Sequence, residues 1–287
     1  KKYIEVLPGD PNPYDSYAEL LMKTGRFDES IQNYEKALAI DPHFIASLIG
    51  IANDQIFLGK TDAARATLLR LEKVSRNSGE KRTARFWTAN AYVHDGQPDK
   101  ALAEVQKMSD LAQAENDQAA ISGDLVVMGD ILREAGRFDE AAAKYAASVT
   151  TMDKADVPAE VKAATRRNLI FEEGRLALAR KDVATARAKS AEYTKQVAVK
   201  ANPFETFQVH QLAGLLALAE NKAPVAVAEL QKANPLDPQV VYQLALATKA
   251  AGDAAGAKAI GVRAADFNAL NFNYGYVRAK AKALTAS

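Results

Sequence analysis

The 287-residue sequence contains no cysteine. Disulfides, thiolate metal sites and a cysteine nucleophile are therefore excluded, and the redox compartment stays open. Net charge is almost absent as well. The 37 Lys and Arg residues nearly cancel 36 Asp and Glu, leaving +1. That balance argues against a nucleic-acid or membrane-surface role driven by overall charge. No apolar run approaches the roughly 18 residues needed to cross a membrane. No signal peptide is visible, but the sequence begins at Lys1 without a Met, so this decides nothing; the expected setting is soluble, with the compartment, cytoplasmic or periplasmic and extracytoplasmic, left open. Strand-type alternation is nearly missing. Only three histidines occur, His43, His94 and His210. None has a partner at metal-ligand spacing such as His-Glu-x2-His. No Gly-x-Ser-x-Gly elbow is found. Gly252, Gly256 and Lys258 superficially evoke a phosphate loop, but the spacing fails and no strand precedes them. The expectation is no catalytic residue, no metal and no cofactor, hence no enzyme.

What is present is a foldable composition, 48% hydrophobic and 25% charged, with helix-period patterning cut by regular breakers. The stretch Asn12–Phe44 organises the chain. Tyr14, Tyr17, Ala18 and Leu21 recur at helical spacing, Gly25 interrupts, and Phe27, Ser30, Tyr34, Ala37 and Leu38 resume. Gly25 suits a left-handed turn between two antiparallel helices. Ala18 and Ser30 are small where the two helices must approach closely. Pro42 stops the second helix and pushes Asp41 out of the helical region.

This stretch resembles one tetratricopeptide repeat, through Tyr14-x2-Tyr17-Ala18-x2-Leu21, then Ser30-x3-Tyr34 and Pro42. Gly25 to Gly59 is a step of 34 residues, the period of that family. Gly25-Arg-Phe-Asp-Glu-Ser30 returns nearly unchanged as Gly136-Arg-Phe-Asp-Glu-Ala141. The resemblance, of bacterial type, implies an all-α, right-handed α-α superhelix of about seven hairpins with a C-terminal capping helix. As one domain over 1–287, the units fall at about 11–44, 45–78, 82–117, 118–154, 158–200, 203–237 and 238–267, with the cap at 273–285. The fifth unit is degenerate, with Lys181-Asp182-Val183 replacing the glycine turn. Lys1–Leu7 followed by Pro8 reads as the tail of an earlier second helix, and hence the chain as a fragment of a longer protein.

The family binds extended peptides in a groove lined by first helices, and helical spacing selects the residues that would line it here. Positions one after each opening residue are Asp15, Ile49, Phe86, Val126, Phe171, Gln211 and Tyr242. Four further on lie Glu19, Asn53, Asn90, Asp130, Arg175, Leu215 and Leu246. The middle of this row is apolar with amides beside it, so Ile49, Asn53, Phe86, Asn90, Val126, Asp130, Phe171 and Arg175 form the expected peptide groove. The alternative is that they pack on second helices. The Lys-Asn-Arg clamp that holds chaperone C-terminal carboxylates is not met, since Asp15 and Glu19 are acidic. The expected role is a monomeric, non-enzymatic scaffold for a protein or peptide partner, without nucleic acid. The alternative is an assembly module joining subunits or other domains. The basic stretch Arg278, Lys280, Lys282 reads as a solvated cap face.

Overall fold

The computed structural model describes residues 2–199 and 202–286. The expected ends at Lys1 and Ser287, and the fifth unit's end at Lys200, lie outside these. Among the described residues every regular element is a helix. A short α1 (Lys2–Val6) precedes the pair α2 (Pro11–Lys23) and α3 (Phe27–Ile40). Next come α4 (Ile45–Phe57) with α5 (Thr61–Val74), and α6 (Ser78–His94) with α7 (Pro98–Ala114). The pairs α8 (Gln118–Glu134) with α9 (Phe138–Met152) and α10 (Ala159–Ala179) with α11 (Val183–Val197) follow. Then come α12 (Pro203–Ala219) with α13 (Ala223–Leu230), and α14 (Pro238–Ala250) with α15 (Ala254–Ala265). A last helix, α16 (Phe272–Ala286), closes the series.

The helices collect into two compact units. The first comprises the described residues up to Leu111 together with Asp266–Gly275. The second comprises Ala112–Ala265 and the described residues from Tyr276 onward.

In the first unit, Asp10 starts α2 by accepting the Asn12 amide at 2.8 Å, which satisfies an otherwise orphaned donor. Gly25 ends it with φ +76°. The Gly25 amide reaches the Met22 carbonyl and the Arg26 amide the Leu21 carbonyl, both at 2.9 Å, the paired bonds of a Schellman turn. Ala18 and Ser30 are fully buried, and the Ser30 hydroxyl donates to the Ala18 carbonyl at 2.7 Å. Small side chains thus permit the close approach that their sequence positions implied. Gly50 has a related task. A Cβ there would lie 2.1 Å from the Tyr34 ring, so only glycine lets this fully enclosed tyrosine lie against α4. Tyr34, Leu48, Leu68 and Leu71 form the centre of the core. Tyr274, from the distant end of the chain, is buried in the same cluster, and Phe267, Ala269 and Leu270 pack against it.

The second unit repeats the device. Gly136 has φ +77°, and Arg137 Nε donates to Glu140 Oε1 at 2.7 Å, as Arg26 does to Glu29 at 2.7 Å. The repeated hexapeptide therefore builds the same helix start twice. Lys181 and Asn221 hold the equivalent turns at φ +62° and +59° without glycine. Tyr193, Phe171 and Leu212 anchor one core cluster, and Ala226 and Leu230 another. The expected capping helix is present: a Cβ on Gly261 of α15 would stand 3.0 Å from Thr285 Cγ2 near the end of α16.

Candidate functional site

Within the second unit, the first helices of three successive pairs, α8, α10 and α12, border an open cavity of about 330 Å³. This is near the lower end of ligand-sized cavities, roughly 300–1,000 Å³. Val161, Ala164, Thr165 and Asn168 line it from α10, and their spacing is that of a single helical face. Val126 lines it from α8, Met152 from α9, and Phe204, Glu205 and Gln208 from α12. Phe204 is 59% exposed, a large apolar ring left to solvent at this mouth. Its backbone amide is capped by Asn202 Oδ1 at 2.9 Å, which fixes where α12 starts.

The polar groups around the cavity are of two kinds. Some are already satisfied. Ser122 gives its hydroxyl to the Ser148 carbonyl at 2.8 Å, and Gln208 Oε1 accepts from the Tyr193 hydroxyl at 2.6 Å. Arg167 Nε donates to Glu205 Oε1 at 2.6 Å, and the hydrogen bond to Glu205 holds this guanidinium above its ordinary pKa. The Asn168 side chain, by contrast, makes no hydrogen bond to the protein among the described residues. An Asn amide both donates and accepts, which is what a peptide backbone requires.

The sequence-selected residues divide four and four. In the first unit Ile49 is half-buried against the core. Asn53 is buried, its Nδ2 donating to the Ile49 carbonyl at 2.8 Å while its Oδ1 has no partner. Phe86 is half-buried and edge-on to Trp87 and Phe272, with ring centroids at 5.4 and 4.9 Å. Asn90 is fully buried, and neither of its amide atoms is hydrogen-bonded.

In the second unit Val126 lines the cavity. Phe171 is 2% exposed and packs on Tyr193 with centroids 5.5 Å apart. Asp130 accepts the Tyr145 hydroxyl at 2.9 Å. Arg175 donates to Glu172 and to Gln239, each at 3.0 Å. Asp130 and Arg175 thus belong to a buried ion network. Burial pushes the Glu172 carboxyl up, against the opposing pull of Arg175 and Arg133. Burial alone would lower the Arg133 guanidinium, but Asp130 and Glu172 hold it well above its ordinary value. Burial would likewise raise Glu134, but Arg133 and Lys280 bring it below the usual range, Lys280 Nζ lying 3.1 Å from its carboxylate.

Asn168, Gln208 and Phe204 fall outside the positions that helical spacing selects. On α10 those positions, Phe171 and Arg175, lie near Gly174, whereas the cavity residues lie nearer the start of this 21-residue helix. The 161/164/165/168 spacing was the signal available. Elsewhere the chemistry is structural. Gly252 is a left-handed turn at φ +92°, and the Gly256 amide donates to Asp253 Oδ1 at 2.8 Å, which accounts for the phosphate-loop likeness. His210 pairs with Glu229 at 2.8 Å. Among the described residues no group of three or more His, Asp or Glu is arranged to hold a metal, and no helix is long and apolar enough to cross a membrane.

Residues 21–81 match the tetratricopeptide repeat family model. No curated protein matches the sequence significantly. Solved structures do. A tetratricopeptide repeat protein from Parabacteroides merdae aligns over 96% of this chain and 99% of its own, at 13% identity and TM-score 0.52. Aspartyl phosphate phosphatase F from Bacillus subtilis aligns over 90% and 70%, at 10% identity and TM-score 0.59. A Rap protein complexed with competence and sporulation factor aligns over 95% and 75%, at 13% identity and TM-score 0.55. At these identities the likeness is one of fold.

Proposed function

We propose that this chain, which carries tetratricopeptide repeats in an all-helical fold, is a non-enzymatic scaffold that binds a protein segment. Folds of this kind are typical of protein–protein interaction scaffolds. The observation that carries the finer reading is the cavity between α8, α10 and α12, open and bordered by a bare Phe204 and an unpartnered Asn168 amide. An apolar side chain of the ligand enters over Val126 and Met152, and Asn168 engages the neighbouring backbone. Such anchors supply most of the affinity in an interface, while surrounding contacts exclude water. In this reading Ile49, Asn53, Phe86 and Asn90 form a second row in the first unit, one that Phe272 covers at Phe86. Asp130, Phe171 and Arg175 support the second unit's inner face, being engaged with Tyr145, Tyr193 and Glu172. The partner is a polypeptide and not a nucleic acid, the protein acts as a monomer, and the chain is read as one repeat array. The phosphatase name belongs to a relative in fold, and the carboxylates of this chain's buried network are committed to ion pairs and hydrogen bonds.

The test is a library of immobilised peptides probed with the full chain and with Val126→Phe and Asn168→Ala. Both variants should retain the wild-type melt and lose about 1–3 kcal/mol of binding to the selected peptides. Equal retention by all three proteins would remove the cavity from the site.

A further inference from the structure

Residues 267–269 have no regular secondary structure, and a bend at 270–271 leads into α16. They belong to the first unit, although 154 residues, Ala112–Ala265, separate them from the rest of it. Where they lie is specific. On α6, Phe86, Asn90 and His94 succeed one another at intervals of four and so form one stripe. Phe272 is edge-on to Phe86 at 4.9 Å, and Tyr274 is edge-on to His94 at 5.9 Å. On α4, Ile49, Asn53 and Phe57 form the matching stripe, and Tyr274 meets Phe57 at 5.5 Å. These are the stripes that contain the four first-unit residues of the sequence-selected groove. The fit is close: a Cβ on Gly275 would stand 3.0 Å from Val93 Cγ1 and 3.1 Å from His94 Cδ2. It is also incomplete. Between Phe86 and His94 on the α6 stripe, Asn90 is fully buried with both amide atoms unpaired, and Asn53 Oδ1 is unpaired on the other stripe.

We propose that this face of the first unit is a peptide site held by the chain's own Phe267–Gly275, and that a peptide with two aromatic residues two positions apart, folded into the same turn as the start of α16, displaces it. The resident segment supplies the template for the partner: Phe272 and Tyr274 occupy the two aromatic positions, one residue between them. Part of its own polar bonding is internal, the Tyr274 amide donating to Asn271 Oδ1 at 2.8 Å and the Tyr274 hydroxyl to Asn268 Oδ1 at 3.2 Å. A buried amide left unpaired costs more than a net hydrogen bond returns. An incoming segment whose polar groups reach Asn53 and Asn90 gains what the resident forgoes. The proposal rests on the peptide-binding reading of this row and adds an occupant and a sequence preference. A resident in place ~99% of the time would weaken an external ligand about 100-fold.

Trp87 is the only tryptophan in the chain and lies 5.4 Å, centroid to centroid, from Phe86, so its fluorescence reports on this face. The experiment titrates the full chain with a synthetic peptide of residues 266–275, DFNALNFNYG. The comparison proteins are the double variant Phe272→Ala/Tyr274→Ala, and Gly275→Ala, which crowds α6 while keeping both aromatic residues. The wild type should respond weakly, and both variants should bind the peptide at least about tenfold more tightly. A control peptide with both aromatic residues replaced by alanine should be silent. Should the double variant lose its helical circular dichroism, Gly275→Ala decides alone. Val126→Phe must leave the response unchanged, which separates this site from the cavity of the second unit. Equal affinity in wild type and variants, or no Trp87 response in any of them, overturns the proposal. So do variants that form concentration-dependent dimers insensitive to peptide, since the displacing occupant would then be a second copy of the chain.

Discussion

Lys181 adopts a left-handed conformation, φ +62°, at the turn where Gly136 stands in the preceding pair. A side chain there costs roughly 1–2 kcal/mol, partly offset by the greater unfolded-state freedom of glycine. Lys181→Gly should therefore raise stability by about 0.5–1 kcal/mol in denaturant melts. Gly136→Val should lower it by about 1–2 kcal/mol. A second residue-scale effect belongs to Asp54. It is fully buried and neither carboxylate oxygen finds a donor, while Ser30 directs its hydroxyl to the Ala18 carbonyl. Burial pushes the carboxyl up to about 7. A raised folded value means the fold binds this proton more tightly than the unfolded chain. The resulting stabilisation is complete below the ordinary carboxylate value near 4 and is lost as pH rises through 7. Asp54→Asn should remove that decline, leaving the variant more stable than wild type above pH 8 by on the order of 2 kcal/mol. Parallel stability–pH curves for the two proteins would contradict this.

At the scale of single elements, α10 shows what binds a degenerate repeat to its neighbours. Arg167 on α10 and Glu205 on α12 are 8% and 6% exposed and bonded at 2.6 Å, with Glu160 at 2.9 Å. Removing Arg167 leaves Glu205 without its hydrogen bonds at the wall of the open cavity. Arg167→Ala should cost about 1–3 kcal/mol, measurable by thermal melting. Elements differ in how far their sequences disclose them. α2–α3 and α8–α9 could be read from Gly25 and Gly136, from the small residues Ala18, Ser30 and Ala141, and from the tyrosines that follow, because each has a steric task local to its hairpin. On α10 the 161/164/165/168 spacing marks a face but not that it borders a cavity, because that depends on Phe171 packing on Tyr193 and on Arg167 reaching α12. Both are contacts between residues distant in sequence. The fate of Asp130 and Arg175 was hidden for the same reason: their partners Tyr145 and Gln239 lie on other helices.

At the scale of the whole molecule, most packing joins helices adjacent in sequence, so a local injury should stay local. In hydrogen exchange, Gly136→Val should lower protection in α8 and α9 well before α14 and α15, since stability in repeat arrays is a sum of unit and neighbour terms. A uniform loss of protection would argue for a single cooperative core. The first unit departs from this locality, because Phe267–Gly275 returns to it from far along the chain. During synthesis, the hairpins up to Leu111 emerge while Ala112–Ala265, 154 residues, has still to be translated. At roughly 5–20 residues per second the ribosome needs about 8–30 s for that stretch. For that interval the nascent chain carries Phe57, Phe86 and His94 without the aromatic rings that later cover them. It is then both most prone to stick to other nascent chains and most open to a chaperone that recognises bare aromatic residues.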